Sequence, residues 1–337
     1  MLNIIYNILL TCTSVMSMSM SILVIFIALK RSPTGMHTYT PYIVNFTICD
    51  LLVSVTYGIL VRPREIYPYD CISINGLVKY LPAYSGFVST MLMLSGLVLC
   101  ISAQCHCIIY RVLVLLDDKR LFVLFKSKKN WILTYTSNFT YCIFISLMLF
   151  KVQLKPDDIP QIKNLQLSQI SLIDPKLPHL CIDRSNPNIT LLSKLGIAGY
   201  AFVEVLSFIC VFSIFRILNV KRAAFSKLTY KMHTQLGIAL GAQIMAPVLF
   251  VMLPVMSVVY CGYMGWTLSD LNGQIVILAI DCYGGISSCL TLYLIKPYRR
   301  FVYDHVFRAI SYVAHGSERG DSSVWAIKLN NTGITQQ

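Results

Sequence analysis

Long apolar runs, each bounded by charged or turn-forming residues, divide the chain into seven segments. They cover Ile4–Leu29, Pro41–Val61, Tyr84–Tyr110, Trp131–Phe150, Leu195–Phe215, Leu236–Tyr260 and Ile275–Ile295. A helix needs about 20 apolar residues to cross the roughly 30 Å hydrocarbon layer, and each run is long enough. Membrane-barrel strands would be about ten residues long, with apolar and polar positions alternating. The runs lack that alternation. The pattern predicts an all-α membrane protein, a seven-transmembrane helix bundle filling residues 1–310. A flexible cytosolic tail over 311–337 is expected to follow.

Composition narrows the class further. Apolar residues make up 56% of the 337 positions and charged residues only 13%, against roughly 25% charged in ordinary globular proteins. With a mean hydropathy of +0.65, a soluble enzyme and a disordered chain are both excluded. The loops after spans one, three and five, together with the tail, carry 19 of the 28 lysines and arginines, and the opposite side carries 9. The positive-inside rule then places the N-terminus outside and the C-terminus in the cytosol. The basic balance is a signal of membrane sidedness, so no nucleic-acid partner is expected. Span one has no basic segment before it and is too long for a typical signal-peptide core. It reads as an uncleaved anchor.

On the expected outer side, the loop from about Lys151 to Lys194 holds Asp157, Asp158, several prolines and the sequon Asn188–Ile189–Thr190. Asn188 is the sequon placed where glycosylation is possible. Asn45 and Asn138 fall within spans, and Asn330 falls in the tail. Three cysteines, Cys71, Cys181 and Cys261, lie in outer segments, where an oxidising compartment favours disulfides. Three pairings are open. The expected one, Cys71–Cys181, would pin the long loop over the bundle mouth. Cys105–His106–Cys107 resembles a metal motif, but adjacent helical positions point about 100° apart, so no metal site is expected.

Ionisable groups inside the spans are expensive and are functional candidates by default. There are three acids: Asp50 in span two, Glu204 in span five and Asp281 in span seven. At 1.5 Å per residue, Glu204 would lie about 14 Å and Asp281 about 9 Å below the outer surface. Each reads either as a ligand contact in a cavity open to the outside or as a structural packing residue. Asp50 is expected to meet hydroxyls, waters or an ion between helices. No lysine lies inside span seven, and no phosphate loop, zinc-protease helix or nucleophile elbow is present. Neither an enzyme nor a cofactor is expected.

Pro247 and Pro254 in span six each remove a backbone bond and bend the helix, making a lever that could swing at its cytosolic end. Gly284–Gly285 with Ser287–Ser288 makes span seven pliable and able to pack closely. Tyr110–Arg111 stands at the cytosolic end of span three. After span seven, Tyr298–Arg299–Arg300–Phe301 leads into helically spaced apolar residues that suit a short amphipathic helix along the inner leaflet.

Together these parts resemble a seven-helix G-protein-coupled receptor, and more narrowly the nematode serpentine chemoreceptors of the Srh, Sri and Str type. Asn45–Phe–Thr–Ile–Cys–Asp50–Leu51–Leu52 is similar to the second-helix signature of rhodopsin-like receptors. His233–Thr–Gln–Leu followed by Gln243, Pro247 and Pro254 is similar to the sixth-helix pattern of those chemoreceptors. Gly285–Ile–Ser–Ser–Cys–Leu, ending in Lys296–Pro–Tyr–Arg–Arg–Phe301, is similar to their close of helix seven. Two departures stand out: Ile109–Tyr110 replaces the usual acid and asparagine before Arg111, and Asn-Pro-x-x-Tyr is missing from span seven.

The resemblance implies a chemosensory receptor in the plasma membrane, in a sensory cilium or elsewhere. It would bind a small extracellular ligand and activate a heterotrimeric G protein; a receptor dimer is left open. Tyr84, Ser85, Thr90, Tyr200, Glu204 and Asp281 form the candidate ligand wall, with mixed aromatic and polar surface. Asp50, Gln243, Pro247 and Pro254 form the intramembrane switch. Tyr110, Arg111, Lys221, Arg222, Tyr298 and Arg299 form the coupling face. The alternatives are a seven-helix ligand-gated ion channel or a membrane transporter. Insect-type channels place the N-terminus inside, contrary to the charge distribution.

Overall fold

The computed structural model describes residues 2–31, 38–66, 71–82, 85–116, 118–153, 178–182, 186–223, 226–264, 266 and 269–305. The expected ligand residue Tyr84, the acids Asp157 and Asp158, and the tail over 311–337 lie outside these residues. Seven helices are long and apolar enough to cross a membrane: Ile4–Lys30, Thr40–Val61, Ser85–Leu116, Lys128–Val152, Asn188–Val220, His233–Cys261 and Asp270–Leu294. The chain is a multi-pass membrane protein built as a seven-helix bundle.

Several helices outrun their apolar segments, because a helix continues into the interfacial layers wherever polar side chains can reach water. Span three runs past Tyr110 to Leu116. Span five begins at Asn188 rather than Leu195. Asn188 is therefore the first residue of a helix rather than a mid-loop asparagine, and its N–H bonds to Asn186 Oδ1 at 3.0 Å. Starting the helices earlier places both acids further from the first residue of their helices than expected. Counted from Asn188 and Asp270, Glu204 lies about 24 Å and Asp281 about 16 Å along its helix.

Spans one, two and seven pack closely because small side chains face one another. Ser14, Ser17 and Ser21 recur at helical spacing on span one and are almost fully buried. Ser21 Oγ lies 3.1 Å from Ser288 Oγ, and Ser17 Oγ donates to the Asp281 carbonyl at 3.3 Å. A Cβ on Gly285 would sit 2.6 Å from Ser17 Oγ, so only glycine permits this approach. Span four is peripheral; of its described residues, Leu149 and Val152 alone are fully buried.

No strand was expected from the apolar pattern, yet one end of the bundle carries a small antiparallel sheet. Strands β1 (Pro63–Ile66), β2 (Cys71–Ile74) and β3 (His179–Cys181) lie in the order β1-β2-β3. Span two ends in Arg62, the described non-glycine residue with positive φ, at 45°, and this turns the chain into β1. The register sets Cys71 opposite Cys181, and a disulfide joins them. Cys261 remains free. The sheet is tied down by Tyr6 Oη donating to the Pro63 carbonyl at 2.7 Å and by the Arg64–Asp270 ion pair at 3.5 Å.

At the opposite end, a short helix, Lys119–Lys126, links spans three and four. Asp118 caps it, accepting from the N–H groups of Arg120 and Leu121 at 2.9 and 3.2 Å. Residues 296–305 form the short helix after span seven. Its Tyr298 is fully buried, while Arg299 and Arg300 face outward.

Candidate functional site

A chain of polar side chains crosses the middle of the bundle. Asp50 on span two accepts from Cys100 Sγ on span three at 2.8 Å, and Cys100 Sγ lies 3.8 Å from Tyr283 Oη on span seven. Tyr283 donates to Gln104 Oε1 at 3.0 Å. Gln104 Nε2 then donates to the Gln243 backbone carbonyl on span six at 2.9 Å. Gln243 Nε2 reaches back to Thr291 Oγ1 on span seven at 2.6 Å. Asp50, Gln104, Gln243 and Thr291 are all buried, as are Cys100 and Tyr283. For groups this buried, each link keeps a donor or acceptor from being orphaned.

The Gln104 link falls where it matters. In a regular helix the Gln243 carbonyl would accept from the N–H of residue 247, but that residue is proline and has none. Gln104 supplies the missing donor from a neighbouring span. The helix then loosens into a π-turn over Val248–Met252 before resuming at Leu253–Tyr263, with Pro254 at its second position. Span six is thus a broken rod held at its break by span three.

Asp281 does not join a common ligand wall with Glu204. It turns to span one, where Oδ2 accepts from Thr13 Oγ1 at 2.5 Å and Ser14 Oγ at 2.8 Å, and it is 1% exposed. The reason is steric: the glycine and serine face of span seven brings spans one and seven together, and Asp281 shares that face. Of its two readings, the packing one describes its place in this structure.

Glu204 occupies a different setting. The fully buried residues of span five are Glu204, Ser207, Ile214 and Leu218, all in its second half; none of its described residues before Glu204 is buried. Glu204 thus marks the boundary between a loosely packed half, nearer the disulfide end, and a packed half. Tyr200, one turn earlier, sets its hydroxyl beside the Glu204 carboxyl. Neither Tyr200 Oη nor Glu204 Oε2 has a hydrogen-bond partner among the described residues. On span three, Ser85 is buried, its Oγ also unpartnered, whereas Thr90 Oγ1 is spent on the Gly86 carbonyl at 3.0 Å.

At the end opposite the disulfide, the expected coupling residues separate into two groups. Arg111 is not at the helix end: span three continues to Leu116, and Arg111 is buried. Its guanidinium carbon lies 3.5 Å from the centre of the Tyr39 ring, and its Nε and one Nη have no hydrogen-bond partner among the described residues. Tyr39 Oη lies 2.9 Å from Cys107 Sγ. Burial pushes the Tyr39 phenol well above its usual value, so it stays neutral. Tyr110 stacks between Tyr39 and Tyr42, with ring centroids 5.9 and 4.1 Å away. Tyr110 and Tyr298 are both buried inside the bundle in this structure. Lys221 is half-buried and its Nζ donates to the Leu115 carbonyl at 2.9 Å. Arg222 and Arg299 are exposed.

His106, which the sequence set beside two cysteines, faces Asn130, 3.1 Å from Nε2 to Nδ2, and lies among Tyr42, Phe125 and Trp131. Attention to charges alone missed Gln104, Tyr283, Thr13, Ser14 and Tyr39. An amide inside a span, and serines recurring on one helix face, were the available signals.

The model of the serpentine type 7TM GPCR chemoreceptor Srh family matches residues 3–308. No curated protein matches the chain. The match covers all seven spans, and the chain belongs to the serpentine 7TM GPCR chemoreceptor family Srh.

Proposed function

We propose that this receptor binds a small molecule from the disulfide end and signals through a heterotrimeric G protein at the opposite end. The disulfide end faces the outside of the plasma membrane, where Cys71–Cys181 can form and Asn188 can be glycosylated. The Lys- and Arg-rich end faces the cytosol, with Arg222 and Arg299 at its surface and Arg111 withheld inside. Ligand settling against Tyr200 and Glu204 favours a state in which span six leaves span three and Arg111 becomes accessible. Only a difference in ligand affinity between the two states can drive that shift.

The observation that carries this reading is the bond from Gln104 to the carbonyl that Pro247 leaves without a donor. A buried hydrogen bond contributes about 1 kcal/mol net, so its loss moves a two-state balance about fivefold. Gln104→Ala, expressed with a promiscuous Gα, should raise agonist-free signalling at equal surface level. Signalling no higher than that of the parent receptor would count against the reading.

A further inference from the structure

Glu204 is one of three acids inside the spans, and it is set apart from the other two. Asp50 accepts from Cys100 within the polar chain. Asp281 accepts from two hydroxyls of span one. Each of those two leaves one oxygen, Asp50 Oδ2 and Asp281 Oδ1, without a partner among the described residues; Glu204, 4% exposed, leaves Oε2 so too, and beside its carboxyl stands only Tyr200 of its own helix. Tyr200 Oη, one turn nearer the disulfide end, is likewise buried and unpartnered. An unsatisfied acceptor costs about 1–3 kcal/mol in such a place, and more when charged. The two groups stand at the floor of the half of span five in which no described residue is buried. That is where a molecule entering from the disulfide end would stop.

We propose that the ligand is a small primary amine whose ammonium donates to Glu204 Oε2 and to Tyr200 Oη. This rests on the chemoreceptor reading above. An ammonium carries three N–H donors and no acceptor, which suits a carboxylate oxygen beside a phenol oxygen whose own O–H is turned to that carboxyl. A charge-assisted bond of this kind is roughly twice as strong as a neutral one. The rest of the ligand is apolar, since Leu97, Phe250 and Val255 lie partly buried against the same hydrophobic core as Tyr200. One carboxylate at the floor, with Asp281 turned away to span one, selects a monoamine over a diamine.

The test uses the full-length receptor in lipid nanodiscs and reads its thermal unfolding with hexylamine, hexanol and 2-heptanone as probes. Hexylamine should raise the unfolding temperature, while hexanol and 2-heptanone should not. Glu204→Gln should weaken the hexylamine effect about tenfold to a hundredfold in apparent affinity. Tyr200→Phe, which keeps the ring and so preserves packing, should weaken it less. Equal stabilisation by the alcohol or ketone would overturn the assignment. So would no stabilisation by hexylamine, or an undiminished effect in both variants. Agonist-free signalling by the Gln104→Ala receptor needs no ligand. If that signalling rises while hexylamine fails, the amine assignment falls alone; if it fails too, the receptor mechanism falls with it.

Discussion

Gln104 Nε2 donates to the Gln243 carbonyl at 2.9 Å, taking the place of the N–H that residue 247, a proline, cannot offer. A side chain of span three thereby completes the backbone of span six at its weakest point. The same glutamine receives the Tyr283 hydroxyl at 3.0 Å, so spans three, six and seven meet on one amide. Pro247→Ala would restore the local donor and make Gln104 redundant. The variant should be more thermostable in nanodiscs and show lower signalling, both agonist-free and agonist-driven. A signalling level equal to or above that of the parent would mean that the break in span six does not govern activity.

The buried Arg111 has no neighbouring carboxylate on span three; residues 109 and 110 are Ile and Tyr. Its charge rests instead on the Tyr39 ring at 3.5 Å, a cation–π arrangement worth about 1–2 kcal/mol when desolvated. Tyr39→Leu, which keeps apolar volume, should raise agonist-free signalling about fivefold or more at matched surface level. Tyr39→Phe keeps the ring face and should stay near the parent. If both variants behave alike, the ring is not what restrains Arg111.

Cys71 and Cys181 face each other across β2 and β3 and close a loop with a sequence separation of 110. A cross-link over a loop of that length contributes about 5 kcal/mol in the chain-entropy picture. Cys71→Ser and Cys181→Ser should each reduce surface level to the same extent, and the double variant should be no worse. Additive losses, measured by surface labelling, would show that the two cysteines act separately.

Close packing of spans one and seven depends on Gly285. A methyl there would stand 2.6 Å from Ser17 Oγ but 3.3 Å or more from the rest of Ser17. Gly285→Ala should destabilise the receptor by about 1–3 kcal/mol. Adding Ser17→Ala should recover a good part of the loss, although Ser17 Oγ also donates to the Asp281 carbonyl. A double-mutant cycle on thermal unfolding measures the coupling, and strict additivity would remove the proposed clash.

The bundle was legible because seven apolar runs of membrane-crossing length leave few alternatives. The sheet was not legible: its three strands run for only 4, 4 and 3 residues, too short for alternation to speak, and β3 pairs across a long sequence interval. The hinge prolines could be read directly, since proline acts through its own missing N–H. Gln104 could not, because the carbonyl it serves lies on another helix. Which of its two readings Asp281 follows was not legible, because depth along a helix does not say which neighbour that face meets, and the serines of span one decide it. Arg111 was placed too near the surface because apolar content fades before the helix ends.

Whether span six is held at its break by Gln104 can be measured as a distance. Spin labels on unnatural amino acids at Leu116, exposed near the end of span three, and Lys231, exposed in the first turns of the span-six helix, avoid the ten free cysteines among the described residues. Pulsed electron–electron resonance on the nanodisc-held receptor then compares the parent with Gln104→Ala. The expected result is a second, longer population in the Gln104→Ala receptor, which Pro247→Ala added to it suppresses. Superimposable distance distributions in the parent and Gln104→Ala receptors would contradict the proposal that this bond holds span six closed.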